Sequence, residues 1–231
     1  MGNIVILTGA GISAESGLGT FRDKGGIWSR FNPSELASPR AFAKDPARVH
    51  EFYNLRRANC VEAAPNAAHF ALAKLEREYS GKVLVVTQNV DDLHQRAGSV
   101  NVLQMHGALL RAKCAKCGSK WQAALVMSED DHCPTCAAQA CRPDIVWFGE
   151  SPYHMPEIRT AIAECDLFVV IGSSGTVYPA AGFAAVAREY GIATLSINLD
   201  PPSGATTFEK LMTGPATRMV PRWVDQVLAA T

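Results

Sequence analysis

Five short apolar runs, rich in β-branched residues and separated by segments of helical periodicity, constrain the fold more than any other feature of the chain. Runs of this kind are typical of strands that are buried on both faces of a parallel sheet. They are Ile4 to Thr8, Val83 to Thr87, Asn101 to Met105, Leu167 to Ile171 and Thr194 to Asn198. The alternation of strands with helices predicts an α/β, doubly wound fold, in which ligands bind beyond the carboxyl ends of the strands.

One helix of this fold can be delimited from the sequence. Pro65-Asn66 is expected to begin it, and Ala68, Leu72, Leu75 and Tyr79 then form an apolar stripe along one side. We expect this stripe to pack on the sheet.

The composition excludes several classes of protein. Of 231 residues, 48% are hydrophobic and 19% are charged, so the chain can bury a sizeable core and is not disordered. The 22 basic and 22 acidic residues give a formal net charge of zero, so no global field attracts nucleic acid or an anionic membrane. The longest uncharged run, residues 167–187, is interrupted by glycine and proline and is interpreted as strand, loop and helix. The N-terminus has no basic leader, so we expect a cytoplasmic protein.

Two cysteine pairs form the strongest local motif in the chain. Cys114-x-x-Cys117 and Cys133-x-x-Cys136 have 15 residues between them, a spacing typical of a four-cysteine zinc ribbon. Each pair is expected on a tight turn, so four thiolates can converge on one tetrahedral ion. We predict one structural zinc, because protein ligands fill all four positions around the metal.

The segment around these pairs, residues 107–143, has few large apolar residues and could not fold by burial alone. His132 and Cys141 remain alternative ligands whose spacings fit less well. Buried or redox-active cysteines are the other interpretation of the pairs. The segment has no strong basic run with interleaved aromatic residues, so we expect no direct contact with nucleic acid.

A glycine-rich turn follows the first predicted strand. Gly9 to Ala14 matches the pattern G-x-G-x-x-A, through which a helix N-terminus receives a pyrophosphate, although such a turn can also serve strand-to-helix packing. A dehydrogenase would place an acidic residue at the end of a second strand about 20 residues later. Here that region is Arg30 to Ser34, with no preceding strand, so hydride transfer is disfavoured. Loops at Gly172 to Gly175 and Ile197-Asn198 could hold the adenosine half of NAD instead.

These motifs resemble the sirtuin family of NAD-dependent protein deacylases, of the bacterial type, and the likeness runs through most of the chain. The matching pieces are Gly9 to Ser13 with Gly17, Phe21-Arg22, Thr87 to His94, His106-Gly107, the four cysteines, Pro143 to Glu150 and Gly172 to Ser174. The resemblance implies a Rossmann-like NAD-binding domain with a small zinc-ribbon and helical lobe, and a catalytic cleft between them. The large domain would comprise residues 1–25, 66–106 and 144–231, the helical insert residues 26–65, and the zinc-ribbon insert residues 107–143.

The resemblance also implies a reaction and two catalytic residues. Members of the family convert an acyl-lysine and NAD to free lysine, nicotinamide and O-acyl-ADP-ribose. His106 would be the general base that activates a ribose hydroxyl, a task that suits a side chain titrating near neutral pH. By itself, His106 would more often be a packed or zinc-linked histidine. Asn89 would orient ribose or water, although short polar residues after Thr87 would also favour strand-end capping.

The NAD-binding residues implied by the resemblance come from five segments of the chain. They are Gly9, Ala10, Gly11, Ile12, Ser13, Glu15, Ser16, Phe21, Arg22, Trp28, Gln88, Asn89, Val90, Asp91, Gly172, Ser173, Ser174, Asn198, Leu199, Asp200 and Ala216. In the cofactor loop the sequence departs from many relatives, since Gly19-Thr20 stands where they have Pro-Asp. This change removes a carboxylate and adds backbone freedom.

The peptide substrate would bind by strand addition. Trp147 to Glu150 resembles the strand to which an acyl-lysine peptide adds through main-chain hydrogen bonds, which read little sequence. The implied contacts are Val146, Trp147, Phe148 and Gly149.

Acyl specificity would then depend on the pocket that receives the acyl chain. Tyr53 and Arg56 are three residues apart, so on a helix they share a face and can offer a phenol and a guanidinium to one carboxylate. They resemble the Tyr-x-x-Arg pair of sirtuins that remove succinyl and malonyl groups. A packed tyrosine beside a solvated arginine is the alternative interpretation.

The sequence therefore predicts an NAD-dependent deacylase of acyl-lysine proteins or peptides, which removes acetyl and also succinyl and malonyl groups. One alternative is NAD-dependent mono-ADP-ribosylation, which differs in the attacking nucleophile. The other is a zinc-containing module that binds NAD without turning it over. We expect a monomer with no membrane partner.

Overall fold

The computed structural model describes residues 2–19 and 36–230. Within these ranges nine strands occur, which we number in chain order. They are β1 (Ile4–Thr8), β2 (Val83–Thr87), β3 (Val102–Gln104), β4 (Gly107–Cys114), β5 (Lys120–Gln122), β6 (Cys141–Ile145), β7 (Leu167–Ile171), β8 (Ala193–Asn198) and β9 (Lys210–Thr213).

The α-helices of the same ranges are numbered likewise. They are α1 (Pro39–Lys44), α2 (Pro46–Glu62), α3 (Ala67–Glu78), α4 (Leu93–Arg96), α5 (Met155–Glu164), α6 (Phe183–Glu189) and α7 (Ala216–Ala229). Short 3-10 turns lie at Ala10–Ile12, Ala14–Ser16, Ala180–Gly182 and Ala205–Thr207. No helix in the described part of the chain is long and apolar enough to cross a membrane.

A six-stranded parallel sheet forms the large lobe, in the order β3-β2-β1-β7-β8-β9. The order reverses between β1 and β7, which is the switch point where doubly wound sheets bind ligands. The predicted α/β, doubly wound class is confirmed. The edge strand β9 was not predicted from the sequence, and the predicted third strand is shorter than its apolar run, since only Val102–Gln104 is a strand.

Alternate residues of β1 show why the sheet has helices on both faces. Ile4 and Ile6 pack in one apolar cluster with residues of α3 and α7. Val5 and Leu7 pack in a second cluster with residues of α5 and α6. Because successive strand side chains point to opposite faces, one continuous apolar run fills both cores.

Helix α3 begins as its sequence predicts. Asn66 is the N-cap residue and its side chain accepts from the backbone N–H of Ala68. The predicted stripe packs on the sheet, with Ala68, Leu72 and Leu75 wholly buried. The helix ends at Glu78, so Tyr79 lies just beyond it.

The small lobe consists of α1, α2 and a three-stranded antiparallel sheet in the order β5-β4-β6. Its apolar cluster includes Phe52 and Tyr53 of α2, Leu109 of β4 and Trp147. Residues 26–35 of the predicted helical insert lie outside the described residues. The domain boundaries given above stay predictions.

Candidate active site

Two glycine loops cross at the switch point of the large sheet. The N–H of Gly9 donates to Ile171 O at 3.0 Å, and the N–H of Gly11 donates to Gly172 O at 2.8 Å. A Cβ at Gly9 would lie 2.8 Å from Gly172 O, and one at Gly172 would lie 2.4 Å from Ile12 N. Gly172 also has a φ of +62°, a region that L side chains rarely adopt. The glycines are therefore required by the close approach of two backbones. We call these crossing loops beyond β1 and β7, at Gly9–Gly11 and Gly172, the glycine floor.

Ser13 is the centre of a buried hydrogen-bond network above this floor. Its Oγ donates to Asp91 Oδ2 at 3.1 Å and accepts from Asn89 Nδ2 at 3.1 Å. His69 Nε2 lies 3.4 Å from the same oxygen. Because the backbone N–H of Asn66 donates to His69 Nδ1, the ring proton of neutral His69 is on Nε2 and points to Ser13. The network fixes Asn89 by its amide nitrogen, so its carbonyl oxygen remains available to a ligand.

Two buried histidines behind Ser13 are neutral at pH 7. Burial lowers the pKa of His69 to about 4, and burial together with the charge of His69 lowers the pKa of His94 to about 3. The two rings meet edge to face with centroids 5.0 Å apart, and His94 Nε2 bonds Thr8 Oγ1 at 3.0 Å. A protonated ring in this pair would face a second imidazole in a buried environment. These residues therefore act as fixed neutral hydrogen-bonding groups.

We expect acid to destabilise the fold through these two groups. Each has a folded-state pKa below the unfolded value of about 6.5, so its stabilising effect is complete above pH 6.5 and is lost as the pH falls towards 4. Urea midpoints measured between pH 7.5 and 4 should fall steeply across that window. His69→Gln should flatten the slope, because it removes one of the two buried rings that resist protonation. An unchanged slope in His69→Gln would contradict this assignment.

His106 lies just after β3, and its environment suits a general base. Its Nδ1 is 3.1 Å from the carbonyl oxygen of Gln88, so Nδ1 carries the ring proton and the lone pair is on Nε2. Burial lowers the pKa of His106 below its usual value, and the bond to Gln88 opposes this effect. The ring is therefore neutral at pH 7, with Nε2 ready to accept a proton.

The second half of the predicted NAD site lies beyond β7 and β8. Gln88 Nε2 donates to Ser173 Oγ at 2.9 Å, which joins the loops after β2 and β7. Ser174 Oγ bonds Thr176, Asn198 Nδ2 donates to Ser196, and Leu199 is 65% exposed. Asp200 is exposed, and Ala216 is buried at the start of α7. The strand ends thus bring the early and late groups of predicted residues to one edge of the sheet.

Three further predicted NAD-binding residues also make hydrogen bonds within the protein. Glu15 accepts from the backbone and hydroxyl of Thr217 in the first turn of α7, at 3.1 and 2.8 Å. Ser16 Oγ accepts from Asn66 Nδ2 at 2.9 Å. The carbonyl oxygen of Val90 accepts from Leu109 N at 2.8 Å. Phe21, Arg22 and Trp28 lie outside the described residues.

Tyr53 and Arg56 share one face of α2, as their spacing predicts. Tyr53 is 0% exposed, and its hydroxyl oxygen accepts from Trp147 Nε1 at 2.9 Å. Arg56 is partly buried, and its guanidinium lies 5.6 Å from the Tyr53 ring centre. Its electrostatic interaction with Asp91 is favourable and raises the Arg56 pKa.

The prediction of a strand at Trp147 to Glu150 is wrong. Strand β6 ends at Ile145, and these residues form a turn in which Glu150 N donates to Trp147 O at 2.9 Å. Gly149 has a φ of +91°, and the Glu150 carboxylate accepts from Trp147 N at 2.9 Å. These two hydrogen bonds use the backbone N–H and the carbonyl oxygen of Trp147, so both groups are bonded within the turn. Val146 does make a backbone hydrogen bond with a neighbouring segment, since its N–H donates to His106 O at 2.9 Å.

The four cysteines of the small lobe form a compact cluster. The Sγ atoms of Cys114, Cys117, Cys133 and Cys136 all lie within 4.8 Å of one another. Two of the separations, Cys114 to Cys136 and Cys117 to Cys133, are 3.7 Å. A tetrahedral zinc with bonds of about 2.3 Å requires thiolates about 3.8 Å apart. The residues fit a closed structural zinc site, and Cys141 lies outside this set.

Two side chains that shape the site were not predicted from the sequence. His69 occupies the third position of α3, where its capping bond to Asn66 is local, but its bond to Ser13 depends on the tertiary fold. Arg142 reaches Glu150 across a turn that was predicted as strand. A histidine three residues after a capping asparagine was the one available sequence signal.

The chain matches the Sir2 family over residues 9–179. It is 51% identical over 230 residues to the NAD-dependent protein deacylase of Caulobacter vibrioides, with 98% of this chain and 97% of that protein covered. It is 54% identical over 232 residues to the NAD-dependent protein deacylase SIR2rp3 of Leishmania major, with 97% and 95% covered.

Solved structures show the same likeness. A Sir2 homologue in complex with NAD superposes with a TM-score of 0.91 and 38% identity, covering 99% of this chain and 90% of that chain. A Sir2 complex with a p53 peptide and NAD+ superposes with a TM-score of 0.80 and 30% identity, with 96% and 92% covered. The chain belongs to the Sir2 family. The enzyme class predicted from its motifs, an NAD-dependent protein deacylase, is confirmed, as are NAD as cofactor and the fit to structural zinc.

The side chains near the strand ends offer distinct chemical groups. NAD, when bound, would supply the ribose carbon that receives the acyl oxygen. Asn89 and Asp91 present an amide carbonyl and a carboxylate, and Ser13 holds both side chains in place. His106 presents an Nε2 lone pair, which is the group that a general base requires.

Proposed function

We propose that this deacylase removes succinyl and malonyl groups as well as acetyl groups from lysine side chains of proteins. The observation that carries the proposal is the placement of Arg56 beside Tyr53 on the inner face of α2, with Asp91 close enough to affect the Arg56 pKa. A carboxylate at the end of an acyl chain would meet a guanidinium and a phenol there. An acetyl group carries no such charge and needs neither contact.

The guanidinium of Arg56 is partly buried and packs against aromatic rings. Burial lowers the pKa of Arg56 from its very high ordinary value, and Tyr53, Cys60 and Asp91 oppose that shift. Its guanidinium lies 5.6 Å from the ring centres of both Phe52 and Tyr53, which hold it against the wall of the small lobe. A fixed, partly desolvated arginine binds a carboxylate more strongly than a solvated one.

Arg56→Met should lower the ratio of succinyl to acetyl turnover by about 10-fold to 100-fold, since charged hydrogen bonds contribute about 1.5–3 kcal/mol. One peptide carrying either acetyl-lysine or succinyl-lysine is incubated with NAD, and the products are quantified by mass spectrometry. Arg48→Met, which removes an exposed arginine from the same helix, is the matched control and should leave the ratio unchanged. Arg56→Lys should recover only part of it, because an ammonium cannot make a bidentate contact.

Equal loss of both activities in Arg56→Met would make Arg56 a structural residue and would remove the support for acidic acyl groups. If the wild-type enzyme removes only acetyl groups, the enzyme class still holds, but the proposed activity on acidic acyl groups is wrong. Transfer of ADP-ribose to the peptide, seen as a gain in mass, would instead favour the alternative activity, NAD-dependent mono-ADP-ribosylation. Nicotinamide release distinguishes either reaction from a module that only binds NAD.

The natural substrates follow from the same chemistry. We infer that they are acyl-lysine proteins whose main chain hydrogen-bonds to backbone groups at Val146 and in the turn beyond it. The residues that flank the acyl-lysine in the substrate should therefore matter little. The monomeric state, the cytoplasmic location and the absence of nucleic-acid and membrane partners stay predictions.

A further inference from the structure

The hydroxyl oxygen of Tyr53 accepts a hydrogen bond within the small lobe. Trp147 Nε1–H donates to it at 2.9 Å, and an indole N–H can only donate. The Arg56 guanidinium lies 5.6 Å from the centre of the Tyr53 ring. Because the indole uses the oxygen as an acceptor, the phenol can still give its own O–H to an acceptor.

Trp147 itself is held by Arg142. The Arg142 guanidinium lies 3.3 Å from the centre of the Trp147 ring. The same group makes a bidentate ion pair with Glu150, at 2.7 and 2.9 Å, and donates to Ile145 O at 3.0 Å. Glu150 in turn accepts from Trp147 N. The backbone and the indole of Trp147 are thus fixed by one buried arginine and its partner.

We propose that Arg142 and Trp147 are positioning residues that set acyl selectivity, because together they hold the Tyr53 hydroxyl as a hydrogen-bond donor. This inference rests on the proposed function, since it explains how the same pocket prefers a carboxylate. A carboxylate offers only acceptors and matches the free O–H. Burial raises the pKa of Tyr53, so the phenol keeps the proton that it must donate.

Replacement of the indole donor tests the relay most directly. Trp147→Phe keeps an aromatic ring in the small-lobe cluster but removes the N–H that Tyr53 accepts. The succinyl-to-acetyl ratio of kcat/KM should fall about fivefold, as expected for one net hydrogen bond, and the fall should come from KM. In the Tyr53→Phe background the same change should have no further effect on the ratio, because the two residues act through one hydroxyl.

Phe42→Leu is the matched control for packing. The Phe42 ring lies 5.3 Å from the ring centre of Trp147, so its loss loosens the contact but leaves the indole N–H. The succinyl-to-acetyl ratio of kcat/KM in Phe42→Leu should stay within twofold of the wild-type ratio. Arg142→Lys keeps the positive charge and loses the planar, bidentate contact, and its ratio should move in the same direction as that of Trp147→Phe.

Indole NMR gives a readout that does not depend on activity. The chain has four tryptophans, and Trp147→Phe identifies the signal of Trp147. In Tyr53→Phe that Nε1–H should move upfield and exchange faster with solvent, since it loses its acceptor. The other indole signals should not change.

The outcomes separate this relay from the proposed function. If Tyr53→Phe and Arg56→Met lower the ratio but Trp147→Phe does not, the relay is wrong and the acyl preference stands. If Phe42→Leu lowers the ratio as much as Trp147→Phe, packing explains the effect and the relay is again wrong. If Tyr53→Phe and Arg56→Met leave the ratio unchanged, both the acyl preference and the relay are overturned.

Discussion

His106→Ala should lower NAD-dependent deacylation by about 100-fold to 10,000-fold, the range over which general bases act, while the protein still binds NAD. The reason is the placement of the ring. Its Nδ1 proton is held by Gln88 O at 3.1 Å, so Nε2 is the one ring atom able to accept a proton from substrate. The residues that hold the glycine floor and the Ser13 network do not depend on this ring.

The measurement compares turnover of one acetyl-lysine peptide with NAD affinity by calorimetry in wild type and His106→Ala. His154→Ala, on the surface before α5, is the control and should behave as wild type in both. Near-normal turnover in His106→Ala would remove His106 as the base. Loss of NAD binding together with turnover would make the residue part of the cofactor site instead.

The pH dependence of the wild type provides a second check on the same residue. A general base must be deprotonated, and burial lowers the pKa of His106 below its usual value of about 6.5. Values of kcat/KM should therefore rise with pH through an apparent pKa below 6.5 and be level at pH 7 and above. A midpoint above 7 would contradict the neutral, buried ring.

The core of the large lobe could be predicted from the sequence because burial on both faces leaves a continuous apolar run. Strands β1, β2, β7 and β8 coincide with such runs within one residue at either end. Strand β9 has no such signal. Its residues Lys210–Thr213 are mostly exposed at the sheet edge, where one side has no neighbour and polarity is tolerated.

The candidate site was predictable where function depends on local pattern and not where it depends on tertiary contacts. Gly9 and Gly11 were recognised by spacing, yet the backbone of Gly172 that requires them is 161 residues further on. The turn at Trp147 was predicted as strand from its resemblance to a peptide-binding strand. In the structure the Arg142–Glu150 ion pair lies across this turn, and no periodicity of the sequence reveals that pair.

Cys117→Ser should abolish zinc binding and unfold the small lobe, with loss of activity as the consequence. The cluster around β4 to β6 contains Ala112, Met127 and three cysteines among its buried members, which is too little apolar surface to fold without metal. Structural zinc contributes about 10 kcal/mol or more in small zinc-binding peptides. We expect metal analysis to fall from one zinc per chain to none, and thermal unfolding to begin at a lower temperature.

The activity is lost because the zinc lobe positions α2. Asn54 of α2 pairs with the backbone of Met127 by two hydrogen bonds, at 2.8 and 3.0 Å, and Arg57 Nε donates to Leu125 O at 3.1 Å. Collapse of this loop frees the helix that carries Tyr53 and Arg56, so acidic acyl groups should lose turnover first as zinc is removed by a chelator. Cys141→Ala, in the same cluster but outside the metal set, should retain zinc and most activity. A folded, zinc-free and fully active Cys117→Ser protein would refute the structural role.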